Sequence, residues 1–275
     1  NLAIIAALLI SKDMEKYEIT YYMSYGVLAG GILQVIVHLM AIKSKNLLKI
    51  FTFKQMKIKE NKFYKNFASA TMGSSTAHLS AFLDTWLASF LVSGSISYLY
   101  YANRVFQLPL ALFAIATSIA LFPMIARAIK NKEENKALKL MKKSTFILSA
   151  LLFVSALVGI IFDKEIVELL FERGAFTSED TKNTALILSM YLIGLIPFGI
   201  AKIFSLWLYS HEQQFLAAKI SMKALAWNIV FSLAFITNFG AAGLAFASTL
   251  SGFILFFLTI KAFGFQKFKT LLLSK

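Results

Sequence analysis

The chain contains no cysteine, which excludes disulfide frameworks, thiolate metal sites and thiol nucleophiles. Charge is scarce as well, at 15% of 275 residues, and acids are scarcer than bases, 14 Asp and Glu against 28 Lys and Arg. A soluble domain of this length needs far more polar surface. The three histidines, His38, His78 and His211, stand too far apart in sequence to form a metal motif. Paired carboxylates, a Ser-His-Asp order and a phosphate-cradling glycine loop are all missing, and Gly73, Ser74, Ser75 and Thr76 read as small residues for close helix packing. No ATP-binding motif is present. These absences point away from an enzyme.

What is plentiful is hydrophobicity, 58% of residues with a mean hydropathy of +0.70. About 20 residues of helix cross roughly 30 Å of hydrocarbon. Apolar segments fall near 1–11, 19–42, 64–91, 95–125, 144–162, 183–209, 215–238 and 241–260. They lack the alternation of barrel strands. The expected fold is all-α, a polytopic transmembrane helix bundle of about eight membrane segments. The uncharged run 224–260 is too long for one crossing, and Asn238, Phe239, Gly240, Ala241, Ala242 and Gly243 supply a turn signal inside it. The first segment offers 11 residues where a span needs about 20, with no initiator methionine before it and no signal-peptide features, so the chain reads as a fragment that begins inside a helix.

The net charge of +14 invites a nucleic-acid reading, but the bases lie between apolar runs and act as topology signals. Residues 43–65, 127–143, 211–223 and 261–275 together hold 21 basic and four acidic residues, whereas 12–18 and 163–182 hold five basic and nine acidic. The connections at 92–94 and 238–243 carry no charge. Every second loop is positive, which places the lysine-rich loops in the cytoplasm. Within 44–60, apolar residues interleave with lysines, as in an interfacial helix on an anionic leaflet or in a solvated connector. The acidic loop contains DKEIVELLFERG, where Ile166, Leu169 and Leu170 would cover one face of a short outward helix ended by Gly174.

Between 93 and 123 the single charge is Arg104. A cation at mid-bilayer costs roughly 2.5–3.5 kcal/mol on insertion scales, so such residues face a bundle interior or an aqueous cavity. The alternative is snorkelling to headgroups within a belt formed by Tyr98, Tyr100 and Tyr101. Asp84, 20 residues earlier, belongs to the preceding helix of an antiparallel pair. It is a candidate ion-pair partner for Arg104, a hydrogen-bonding group between helices, or part of a cation site.

FLDTWLASFL from Phe82, followed by GSISYLYYANRVFQLPLALFAIATSIALFP, resembles the MurJ/MviN family of lipid II flippases, within the multidrug/oligosaccharidyl-lipid/polysaccharide exporter superfamily. ELLFERGAFTSEDT at 168–181 and YLIGLIPFGIAKIFSLWLYS at 191–210 match in order. The resemblance implies two helix bundles around a central cavity, typically 14 helices, with this chain running from about the fifth to the twelfth. The first helices, with further cavity arginines, and the last pair, which helps form a lipid-tail groove, would be missing. By the same likeness, residues 1–62 would be the end of the N-terminal lobe and a cytoplasmic amphipathic linker, and 63–275 the C-terminal lobe.

The family's central cavity arginine falls on Arg104, whose donor fork suits a pyrophosphate. Lys202 matches a basic family position, or else snorkels to the cytoplasmic face. Asp84, Asn228, Ser232 and Thr249 resemble polar positions of a proposed sodium site. No other cofactor is implied. The implied function is alternating-access translocation of lipid II across the bacterial inner membrane, driven by membrane potential or an ion gradient. One charge crossing 100 mV supplies about 2.3 kcal/mol. The partners are then lipid II and membrane lipids, with no nucleic acid. The competing readings are a cation-coupled drug or polysaccharide-lipid exporter of the same superfamily, and a membrane scaffold without transport.

Overall fold

A computed structural model describes residues 2–45 and 61–273. The segment 46–60, where the sequence suggests an interfacial helix, lies outside them. Eleven α-helices and no strands are found among the described residues. Two compact units divide at Lys59 and Glu60.

The first unit consists of α1 (Leu2–Ser11) and α2 (Lys16–Ser44), packed on each other. Their approach depends on Gly26, where a Cβ would lie 2.8 Å from the Ala7 Cβ. Close backbone approach through small residues is how helices associate when lipid is as apolar as their side chains.

The second unit contains α3 (Asn61–Ala88), α4 (Ser95–Pro109), α5 (Ala116–Lys130), α6 (Glu134–Ile161), α7 (Asp163–Phe171), α8 (Ser178–Leu192), α9 (Leu195–Ser210), α10 (Gln214–Phe263) and α11 (Phe265–Leu273). Each irregularity has a residue behind it. Pro109 brings no N–H and crowds the carbonyl one turn back, and Leu110–Ile115 re-register as a π-helix between α4 and α5. Gly240 takes φ 53° and ψ −134°, a conformation that favours glycine, and breaks the 50 residues of α10 where the sequence signals a turn.

By length and composition, Tyr17–Ser44, Ser95–Lys130, Glu134–Ile161 and Gln214–Phe263 can cross a membrane. α8 and α9, bent by 40°, qualify as a fifth span if taken together. This is fewer than the eight segments expected, for three reasons. α1 is only 10 residues long, α3 carries too many polar residues among its apolar ones, and α10 is two segments joined at Gly240. α7 also differs from expectation. Val167 is its buried residue, Leu169 is 83% exposed, and the helix stops at Phe171, with Gly174 at φ +63° beyond it.

The polar bonds at the helix ends respect the charge alternation. Lys267 of α11 donates to Glu134 at the start of α6 at 2.7 Å and lies over the Trp207 ring, joining three segments expected on the lysine-rich side. At the other end the Tyr98 hydroxyl donates to Asp180 at 2.6 Å, and Asp180 in turn caps α8 with Thr177 in a capping box.

Candidate functional cavity

α3, α4, α5, α8, α9 and α10 line a cavity of about 910 Å³ within the second unit. Its polar lining includes Asp84, Asn103, Gln107 and Lys202, with hydroxyls from Ser80, Ser205, Ser248 and Ser251 among others. The aromatic wall of Phe106, Tyr191 and Phe198 is packed ring to ring at 5.6 and 6.1 Å between centroids. Acid, base, amide and hydroxyl groups gathered inside an apolar helix bundle are costly to hold there, which marks the cavity as the candidate site.

Helical rotation decides which residues of α4 reach this chamber. Ser95, Leu99, Ala102 and Phe106 form the buried stripe, and Asn103 and Gln107, hydrogen-bonded to each other, flank it and line the cavity. Arg104 is one residue, about 100°, further round, where it is exposed on the stripe of Ile96, Tyr100 and Leu108. Its Nη2 donates to the Tyr100 hydroxyl at 2.8 Å, and the guanidinium lies 5.2 Å from that ring's centroid. Arg104 therefore neither lines this cavity nor pairs with Asp84. Of the three readings open for Asp84, the ion pair with Arg104 is not formed, and Arg104 contacts a phenol instead.

Asp84 instead belongs to a hydrogen-bonded chain. The Asn228 amide donates to Ser248 Oγ at 3.0 Å, and Ser248 Oγ donates to Asp84 Oδ2 at 3.1 Å. Asp84 Oδ1, Asn228 Oδ1 and Ser232 Oγ are buried without a partner. Buried oxygens without donors are costly, and an acid, an amide oxygen and hydroxyls make the hard-oxygen set that suits a small cation. Of the four residues expected at a sodium site, Asp84, Asn228 and Ser232 offer these oxygens, and Thr249 is engaged elsewhere. Thr249 Oγ1 donates to the Met190 carbonyl at 2.6 Å, and its neighbour Ser248 is the α10 hydroxyl beside Asp84. Among the described residues no group of three or more His, Cys, Asp and Glu is placed to hold a metal.

Lys202 lines the cavity from α9 and makes no ion pair among the described residues. Sequence reasoning missed Asn103, Gln107, Ser248 and Tyr191. The i,i+4 amides of YANRVFQ were visible as a pair, whereas the part played by Ser248 depends on three helices meeting.

The fold and chamber define a polytopic helical membrane protein with a cavity that gathers polar side chains. Its family is lipid II flippase MurJ, to which the chain belongs: the family model matches residues 1–275, and the family is one of flippases rather than enzymes. A probable lipid II flippase MurJ of Helicobacter pylori strain J99 is 49% identical over 98% of this chain. The chain spans 62% of that relative's length. In fold it is similar to a lipid II flippase MurJ in an inward closed conformation, with TM-score 0.74, 24% identity, and coverage of 99% of this chain and 56% of the other. It is also similar to the Vibrio cholerae MATE transporter VcmN in the bent form, with TM-score 0.65, 16% identity, and coverage of 99% and 60%.

Proposed function

We propose that the chain is part of a flippase that carries lipid II across the bacterial inner membrane by alternating access. The match of the whole chain to the lipid II flippase family carries this reading. The chemistry of the cavity supports it. Lys202 offers a cation to an anionic group, while Asn103, Gln107 and the serines offer the donors and acceptors that a sugar-peptide headgroup requires. Arg104, exposed on α4, would meet the pyrophosphate on that face, where its fork can bind two oxygens at once. The polyprenyl tail stays in hydrocarbon, among side chains such as Leu108, Leu112 and Phe153 that are exposed on the bundle and lie outside the cavity.

A sodium ion is the proposed coupling cation, held by Asp84, Asn228 and Ser232 with Ser248 alongside. Bound there it would supply positive charge to an otherwise unbalanced carboxylate. The test uses the full-length protein in vesicles with headgroup-labelled lipid II. Transbilayer movement above that of protein-free vesicles is expected, and none would sink the reading. Sodium should raise the melting temperature of the wild type but not of Asp84→Asn. An equal rise in both would remove the cation site while leaving the flippase reading intact.

A further inference from the structure

The break between α8 and α9 is held by a residue the transport reading leaves without a role. Gly194 N–H donates to the Tyr191 carbonyl at 2.9 Å, one residue short of α-helical register, so the Met190 carbonyl loses its helical partner. Pro197 has no N–H to donate to the Ile193 carbonyl four residues back, which weakens the same break further. In the hydrocarbon region no water is at hand to replace a missing donor. The replacement comes from another helix: Thr249 of α10, fully buried, donates its hydroxyl to Met190 at 2.6 Å.

The same face of α10 grips the start of α9 with no clearance. A Cβ on Gly194 would lie 2.9 Å from Thr249 Oγ1, and one on Gly252 would lie 2.6 Å from the Phe198 ring. Lys202 stands eight residues beyond Gly194 along α9, about 12 Å of helix, so a change of bend at the break swings its side chain within the cavity.

We propose that Thr249 is a positioning residue for Lys202: its hydroxyl, by closing the Met190 carbonyl, fixes the bend between α8 and α9 that aims Lys202 into the cavity. The transport part of this inference rests on the flippase reading, whereas the bend itself does not. The experiment uses the full-length protein, freed of any other cysteine, with Ser205→Cys as a reporter on the cavity wall of α9 and Glu179→Cys as a control at the far, exposed start of α8. Thr249→Val removes the donor at constant shape, and Thr249→Ser keeps it. Maleimide labelling at 205 should become at least three-fold faster in Thr249→Val, be unchanged at 179, and return to the wild-type rate in Thr249→Ser. Transport should fall about ten-fold in the valine variant and recover in the serine variant. Wild-type labelling in Thr249→Val, or a serine variant as altered as the valine one, overturns the proposal. If Thr249→Val does not give monodisperse protein, Gly194→Ala decides the matter, because its new Cβ displaces the Thr249 hydroxyl from the opposite side. Faster labelling at 205 supports the bend, and an unchanged rate refutes it. Since labelling needs no substrate, a shift at 205 in a protein that moves no lipid II would reject the flippase reading and keep the bend.

Discussion

Arg104 and Lys202 are both single cations in long apolar stretches, yet they occupy opposite situations. Lys202 opens onto a polar chamber with Asp84, Asn103 and Gln107 in the same wall, whereas Arg104 lies outside that chamber against one phenol. Polarity in a membrane segment marks a residue as expensive, but it does not say which way the helix turns it. One residue of rotation separates Asn103, inside, from Arg104, outside. Both side chains are exposed, so what separates the two bases is their surroundings: Lys202 shares a cavity lining with an acid and two amides, whereas Arg104 stands on another face of α4 against a ring.

The largest effect that can break this comparison is charge reversal at Lys202. Lys202→Glu places a second acid in a chamber that already holds Asp84, and transport by the full-length protein should fall 100-fold or more. Lys202→Arg, which keeps the charge, should stay within about ten-fold of wild type. Measured lipid II movement near wild type in Lys202→Glu would show that the chamber does not take the anionic group. A smaller effect follows for Arg104→Ala, a loss of about ten-fold with unchanged thermal stability, because the side chain is exposed and no partner charge is left buried. Arg104→Lys should recover part of that loss, since a point charge replaces the fork.

A third test addresses coupling. Because Asp84 bonds Ser248 and Arg104 bonds Tyr100, Asp84→Asn and Arg104→Gln should be additive in stability within about 0.5 kcal/mol. A double variant clearly more stable than additivity allows would restore the ion pair that the sequence suggests.

Much of the fold was readable before any coordinates, because the cost of unpaired backbone in hydrocarbon leaves long apolar runs little choice but helix. The break at Gly240 and the two-sided charge alternation were readable for equally local reasons, a turn-forming run and the distribution of lysine. The facing of each helix was not. In a soluble protein the apolar stripe is the buried one, but lipid rewards apolar side chains on both faces. On α4, Leu99 and Phe106 are buried while Ile96 and Leu108 are exposed, and composition cannot separate the two pairs. That ambiguity is why the sequence leaves Arg104 between a cavity and a place in the belt of Tyr98, Tyr100 and Tyr101, and the structure sets it against Tyr100. That Asn228 and Ser232 stand together was legible, because residues four apart share one helix face. Which of Ser248 and Thr249 stands beside Asp84 was not legible, since both are small hydroxyl residues and the structure turns one to Asp84 and the other to the Met190 carbonyl.

The smallest expected effect gives the sharpest test of the outer site. Tyr100→Phe removes the 2.8 Å hydrogen bond from Arg104 but keeps an aromatic ring under the guanidinium, 5.2 Å from centroid to cation in the parent. The cation–π attraction resides in the ring face rather than in the hydroxyl, and at an exposed site water replaces the lost acceptor. Transport should therefore stay within two-fold of wild type if Tyr100 merely parks the arginine. Tyr100→Leu, which removes the ring as well, should release the side chain and lower transport by a few-fold. A ten-fold loss in Tyr100→Phe would mean that the phenol itself contacts the moving headgroup, and the exposed face of α4 would then be a binding surface built from Tyr100 and Arg104 together.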